Sequence, residues 1–468
     1  MSDHARRSPS PTQFGFPAVS RRQLLLGASA ASVLAACGSS AKSGSGASTS
    51  AAAKAASSAA APATTAAAAS SSSAAATTAA AVAAAGSVTF GSNYSDDKPK
   101  AAIQAMMDGF KGAKVSINTV DHNKYQENIT TYLQQPDDVV SWFAGYRMRF
   151  FAAKGLVGDV SDVWSKLDGF SDAFKTASTG DDGKQYFVPL YYYPWAIHYR
   201  KSLFTEKGYK VPTTWADFMA LADKMKTDGI TPLVAANDGK WPQMGMFDQL
   251  NMRTNGYDFH VSLMAGKEKW TDDRVANVFK SWEKLIPLQQ DGVNGRKWEE
   301  GATALGNKEA GMYLIGTFLT SQYKDQAVID DIDFFAFPAI DAKYAQDAVE
   351  APIDGFMMAA KPKNADAAKE FLAYVGTAAA QEAYLRVDPS SVAASSKANT
   401  ASYSALQKKS ADFVAGAKQI SQFLDRDTDP EFASKVMGDA IASFLADPKT
   451  ITATLKSVEE KKATIFKK

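Results

Sequence analysis

Between Val88 and Trp142 the hydrophobic period of this chain switches four times. Val88 to Gly91 reads as a strand, and Ile103, Met106, Met107 and Phe110 follow at helical spacing. Val115 and Ile117 alternate as a strand does. Tyr125, Ile129, Tyr132 and Leu133 return to the helical period before Val139-Val140-Ser141-Trp142 closes the series as a buried strand. Strands separated by helices become parallel neighbours, and right-handed crossovers then cover both faces of their sheet. A ligand site is expected beyond the carboxyl ends of such strands. Trp142 stands at one of those ends.

Everything before this region has a different character. Ser20-Arg21-Arg22-Gln23-Leu24-Leu25-Leu26 opens a short apolar run of small residues that ends in Leu34-Ala35-Ala36-Cys37. The arginine pair resembles a twin-arginine export signal, and Leu-Ala-Ala-Cys resembles the lipobox of bacterial lipoproteins. The run is too short to span a bilayer, which takes about 20 apolar residues. Residues 1–36 are therefore expected to be removed, leaving Cys37 as a lipid-bearing N-terminus on the outer face of the cytoplasmic membrane. Cys37 is the only cysteine in the chain, so the exported body is expected to hold together without disulfides, by its core alone. From Gly38 to Gly86 the chain is nearly all Ala, Ser, Thr and Gly. Such a segment has too little apolar surface to offset the entropy of ordering, and reads as a flexible tether over 37–86. A coil of roughly 49 residues has an end-to-end distance of about 35 to 42 Å.

Residues 87–468 form the globular body, which is longer than one core usually holds, so two lobes are expected. With 51 Lys and Arg against 50 Asp and Glu, the charge balance offers no footprint for nucleic acid. Val188 to Tyr199 is an aromatic extended run. Thr214-Trp215-Ala216-Asp217 then reads as a capping box for a helix that Gly229 stops, with a strand at Pro232 to Ala235. Helical spacing covers Asp272 to Gln290, strands are expected at Ala310 to Ile315 and Phe334 to Phe337, and helices prevail from Ala365 onward.

Several blocks share the order of a known family. The stretch from Val188 to Phe204, with Tyr199-Arg200-Lys201, resembles the hinge-crossing strand of the family 1 extracellular solute-binding proteins of ABC importers. Val211 to Phe218, Asp228 to Leu233 and Asp238 to Pro242 follow in the family's order. Pro136 to Val140, Ala153 to Val160, Glu309 to Phe318 and Ala367 to Tyr384 also match. The resemblance implies an α/β, two-lobed periplasmic-binding-protein-like fold of type II with a hinge crossed more than once. It places lobe one at about 87–196 and 310–356, and lobe two at about 197–309 and 357–468. It implies a monomeric receptor without a cofactor or metal that closes on a carbohydrate and delivers it to permease subunits.

A pyranose has an apolar C–H face and a polar edge, so it calls for aromatic platforms beside carboxylates, amides and Arg. By its match to the family, Trp142 holds the cleft tryptophan position of sugar binders. Tyr193 lies on the crossing strand, Asp238 and Trp241 in the next loop, Phe318 where the family commonly has Trp, and Asp354 at another crossing. Trp215 and Trp282 sit in helical patterns and read as core, and Arg147 and Arg149 as a solvated helix face. Two other readings stay open. Tyr191-Tyr192-Tyr193 resembles the tyrosines of iron-binding proteins, although strand alternation sends Tyr192 to the opposite face and the histidines show no ligand spacing. An exported carbohydrate hydrolase would use two of the many carboxylates.

Overall fold

In the computed structural model, which describes residues 86–466, the switching period folds as its pattern dictates. Ser87–Ser92 (β1), Lys114–Thr119 (β2) and Val139–Phe143 (β3) are linked by helices Asp97–Gly109 and His122–Tyr132. β1 pairs in parallel with both β2 and β3. The first helix turns Ala102, Ile103, Met106 and Met107 inward, and the second begins where the Asp121 side chain accepts from Lys124 N. The signal peptide, Cys37 and nearly all of the tether lie outside the described residues.

The aromatic run Val188 to Tyr199 is two strands, Val188–Tyr192 (β4) and Trp195–Arg200 (β5), which belong to different sheets. Pro194 lies at the break; without an N–H it cannot continue a ladder. The later strands are Thr231–Val234 (β6), Ala310–Gly316 (β7), Ile332–Phe335 (β8), Ala348–Glu350 (β9), Ile353–Met358 (β10), Val392–Ala393 (β11) and Gln419–Ser421 (β12). β8 begins two residues before the strand expected at Phe334. Thr214 Oγ1 accepts from Asp217 N at 3.2 Å and starts helix Trp215–Thr227 as its capping pattern requires. Gly229, at φ 77°, follows that helix.

Three sheets result. The first has the order β11-β4-β10-β3-β1-β2, the second β6-β7-β5-β8, and a small third pairs β12 with β9. β10 runs antiparallel to both β3 and β4, and Gly355 makes that insertion possible. A Cβ there would fall onto the Val188 carbonyl.

This topology corrects the expected lobe boundaries. β7 and β8, expected in lobe one, lie in the second sheet on either side of β5. Only β10 from that segment joins the first sheet. Helices Ala365–Val375 and Ala378–Val387, expected in lobe two, pack on the first sheet instead. Phe371 meets Phe90 at 6.1 Å and Phe110 at 5.3 Å, and Tyr384 meets Tyr191 at 5.0 Å. The C-terminal helices do belong to lobe two, where Phe444 packs on Phe279 at 4.9 Å and Trp282 at 5.3 Å. The correction has a physical cause: a strand's lobe is set by its ladder partners, which come from distant sequence and leave no local periodicity. The chain crosses between the main sheets at Tyr193-Pro194, near Ala351-Pro352 and again after β11. Among the described residues no helix is long and apolar enough to cross a membrane.

Candidate functional site

The carboxyl ends of β1 and β2 open onto a cavity of about 130 Å³ between the two main sheets. Asn93 to Asp96 follow β1 into its wall, and His122, Asn123 and Gln126 come from the start of the helix after β2. The second sheet and its loops bring Trp195, Trp241, Trp298 and Phe318. Strand alternation places Tyr191 and Tyr193 in the wall and turns Tyr192 away, to pack against Phe174 at 5.5 Å.

The aromatic side of the wall is a contiguous set. Phe318 lies 5.2 Å from Tyr193, 5.1 Å from Trp298 and 6.2 Å from Trp241. Trp195 packs between Trp241, edge-on at 6.2 Å, and Phe423, tilted at 4.7 Å. The polar side centres on Arg426, in the single turn Leu424–Asp427. Its Nη1 donates to Asp354 Oδ1 at 2.7 Å and its Nη2 to the Tyr193 hydroxyl at 3.0 Å. Its guanidinium also sits 3.9 Å over the Phe143 ring. Burial opposes the charge of Arg426, but the Asp354 carboxylate, with Tyr193 and Asp425, more than offsets this and raises its pKa. Burial raises the pKa of Asp354, and Arg426 works against that rise.

The two lobes touch across the cavity mouth. Trp241 Nε1 donates to Asn123 Oδ1 at 3.1 Å, and Lys98 Nζ to the Tyr323 carbonyl at 3.2 Å. Burial, followed by the charge of Arg426, lowers the pKa of His122 to about 4. Its ring nitrogens contact the amides of Asn93 and Gln126. Burial raises the pKa of Glu299, and Asp96 from the opposite lobe adds to the effect.

Of the residues expected from sequence, Tyr193, Trp241, Phe318 and Asp354 share this cavity. Trp142 does not. It is 1% exposed and packs among Tyr125, Phe143 and Phe151, because β3 is paired on both edges and its alternation sends Trp142 with Val140 into the core beneath the helices. Asp238 also lies outside the wall: its backbone N donates to the Arg296 carbonyl in a tight turn through Gly239, at φ 78°. It is close enough to Glu299 to help raise that group's pKa. Arg147, read as part of a solvated face, is 4% exposed. Trp282 and Trp215 pack on Phe279 and Phe218.

Sequence reasoning missed Asp425 and Arg426, which sit in a stretch without periodicity, and His122, set aside as an isolated histidine. Trp195 was legible as part of the crossing strand. The Tyr193 hydroxyl is engaged by a guanidinium, an unfavourable place for a ferric ion, and among the described residues no cluster of three or more His, Cys, Asp or Glu could hold a metal.

Two α/β lobes, several crossings and a shared cavity with aromatic and charged walls define a cleft-type solute-binding fold. The chain belongs to the bacterial extracellular solute-binding protein family, whose pattern it matches over residues 93–382. It is 28% identical over 221 residues to the multiple sugar-binding protein of Streptococcus mutans, covering 45% of this chain and 51% of that one. An uncharacterized ABC transporter extracellular-binding protein of Pyrococcus horikoshii is 24% identical over 259 residues, covering 53% of this chain and 56% of that one. The match spans little more than half the length of these curated relatives. Among solved structures, the bacterial solute receptor AcbH is described as having an exclusive substrate preference for β-D-galactopyranose. It superposes with a TM-score of 0.80 at 46% identity, covering 81% of this chain and 99% of that one. A chitin oligosaccharide binding protein, at 21% identity and a TM-score of 0.73, shares the fold.

Proposed function

We propose that this protein is the extracytoplasmic receptor of an ABC importer and that it captures a monosaccharide of the D-galactopyranose type. The observation that carries the reading is the cavity's division into an aromatic wall and a charged wall, contributed by both lobes. Trp241, Trp195 and Phe318 offer faces for the C–H side of a pyranose, while Asp354, Asp425, Arg426, His122 and Gln126 offer partners for its hydroxyls. Size supports a single ring. The cavity's volume of about 130 Å³ lies below the roughly 300 to 1,000 Å³ of sites that take larger ligands. The resemblance to AcbH at 46% identity supports the same sugar class.

In this reading the bound sugar is released unchanged to the permease. The chain acts as a monomer, needs no cofactor or metal, and is tethered through Cys37 to the outer face of the cytoplasmic membrane. Calorimetric titration with D-galactose, its C4 epimer D-glucose, D-mannose, which differs at both C2 and C4, and a set of oligosaccharides tests the proposal. Binding of galactose in the micromolar range or tighter, about −8 kcal/mol or better, is the expected result. Heat from an oligosaccharide with none from galactose would overturn it, as would recovery of a cleaved sugar.

A further inference from the structure

Asp425 is a cavity-wall carboxylate with one oxygen engaged and one free. Its Oδ2 accepts from Arg147 Nη1 at 3.1 Å. Its Oδ1 is buried with no hydrogen-bond partner, Arg426 Nε standing 3.9 Å away. Asp425 itself is 8% exposed. A buried acceptor without a donor is costly, so an orphan of this kind in a cavity wall calls for a donor from the cavity's occupant.

Arg147 is not in that wall. It lies behind it, in helix Tyr146–Ala153 of lobe one, with its guanidinium 4.7 Å over the Trp142 ring. The same Nη1 donates to Gln126 Oε1 at 2.7 Å, and the Gln126 amide in turn contacts His122. One guanidinium therefore fixes two side chains of the wall, one in each of two separate elements.

We propose that Arg147 is a positioning residue: from behind the cavity it holds the Asp425 carboxylate turned so that Oδ1 accepts a hydroxyl of the bound solute. The proposal rests on the sugar-receptor reading for the identity of that solute. Trp142 then acts one layer further back, as the apolar and π surface on which Arg147 is seated. The charged and titratable groups facing this pair are Arg426 in the adjoining position, Asp354 and Tyr193 on Arg426, the buried Asp248 that accepts from Leu424 N, and His122 beyond Gln126.

The test uses the full chain in wild-type form and as Arg147→Met, Arg147→Lys and Arg147→Met with Asp425→Asn. Removing the guanidinium takes away the donor to Asp425 Oδ2 and leaves the buried carboxylate only the longer approach of Arg426 Nε at 3.9 Å. Calorimetry with D-galactose should show roughly a tenfold weaker affinity for Arg147→Met than for the wild type, and Arg147→Lys should recover most of it. Without ligand, Arg147→Met should lower the melting temperature, and adding Asp425→Asn should recover part of that loss.

Wild-type affinity in Arg147→Met would overturn the proposal. A loss of affinity and stability that Arg147→Lys does not restore and Asp425→Asn does not relieve would also overturn it by reducing Arg147 to packing over Trp142. If the wild type does not bind galactose, the ligand assignment fails, and the ligand-free melts still decide the role of Arg147.

Discussion

Asp354 and Arg426 meet at 2.7 Å although 72 residues separate them in sequence. Both are at least nine-tenths buried, so each makes the other's charge tolerable. The pair ties β10 of the first sheet to the single turn that carries Asp425.

Breaking this pair on one side leaves a buried charge alone. Arg426→Met should lower stability by about 3 to 5 kcal/mol and abolish sugar binding, whereas adding Asp354→Asn should return part of the stability. Chemical denaturation of the two variants checks this. Equal stabilities would mean that the uncompensated carboxylate carries no cost.

The two tryptophans that sequence placed together should separate by experiment. Trp241→Ala removes a cavity wall and should weaken binding by about 1 to 3 kcal/mol while the fold survives. Trp142→Ala empties a core site and should cost about 3 to 5 kcal/mol of stability. Titration calorimetry and thermal melts on the same samples distinguish the two, and reversed effects would return Trp142 to the cleft.

The reasons for that misplacement show what a sequence carries. Local periodicity was enough for β1 to β3 and their helices, because each burial pattern is written within a few residues. The carboxyl ends of β1 and β2 then located the cavity, and the order of family blocks supplied Tyr193, Trp241, Phe318 and Asp354. What stayed hidden depends on tertiary partners. Trp142 belongs to the core because Tyr125 and Phe151, from the helices before and after β3, close over its face of the strand, a packing that the strand's own period does not show. Arg147 looks like any surface arginine until Asp425, 278 residues on, is placed against it.

Buried histidines give an acid-side prediction. His198 is fully buried with Nδ1 3.1 Å from the Ala196 carbonyl, and burial lowers its pKa to about 3. Between its ordinary value of 6.5 and about 3 the unfolded chain binds the proton and the folded chain does not. Its contribution is thus intact above pH 6.5 and falls as pH drops, by up to about 1.4 kcal/mol per pH unit. The buried Asp248 and Glu350, whose pKa values burial raises, act in the opposite sense, so the comparison must be with a variant. His198→Gln should gain stability relative to wild type as pH is lowered below 6.5. A difference that does not vary with pH would place the ring's titration outside the fold.

Cys37 lies outside the described residues, and its role is open to a simple test. Cys37→Ser should move the protein from the membrane to the soluble fraction with an unchanged melting temperature. Retention of the variant on membranes after a carbonate wash would exclude the lipid anchor.

The last prediction concerns closure. Trp241 Nε1 reaches Asn123 Oδ1 across the mouth, and Lys98 reaches the Tyr323 carbonyl beside it, yet these few contacts are weak without something between the walls. A net hydrogen bond contributes about 0.5 to 1.5 kcal/mol. A sugar that touches Trp241 and Phe318 on one side and Asp354 and Gln126 on the other satisfies all of them only when the lobes are together, so it shifts the population toward the closed form by its differential affinity for the two states. Small-angle scattering on a chain beginning at Gly86 should show the radius of gyration falling when galactose is added. Asn123→Ala should leave the ligand-bound radius unchanged and enlarge the ligand-free one, since only the latter depends on the bare lobe contacts. Tight binding with no compaction in either protein would mean that the cavity is already formed without ligand, and that closure contributes nothing to capture.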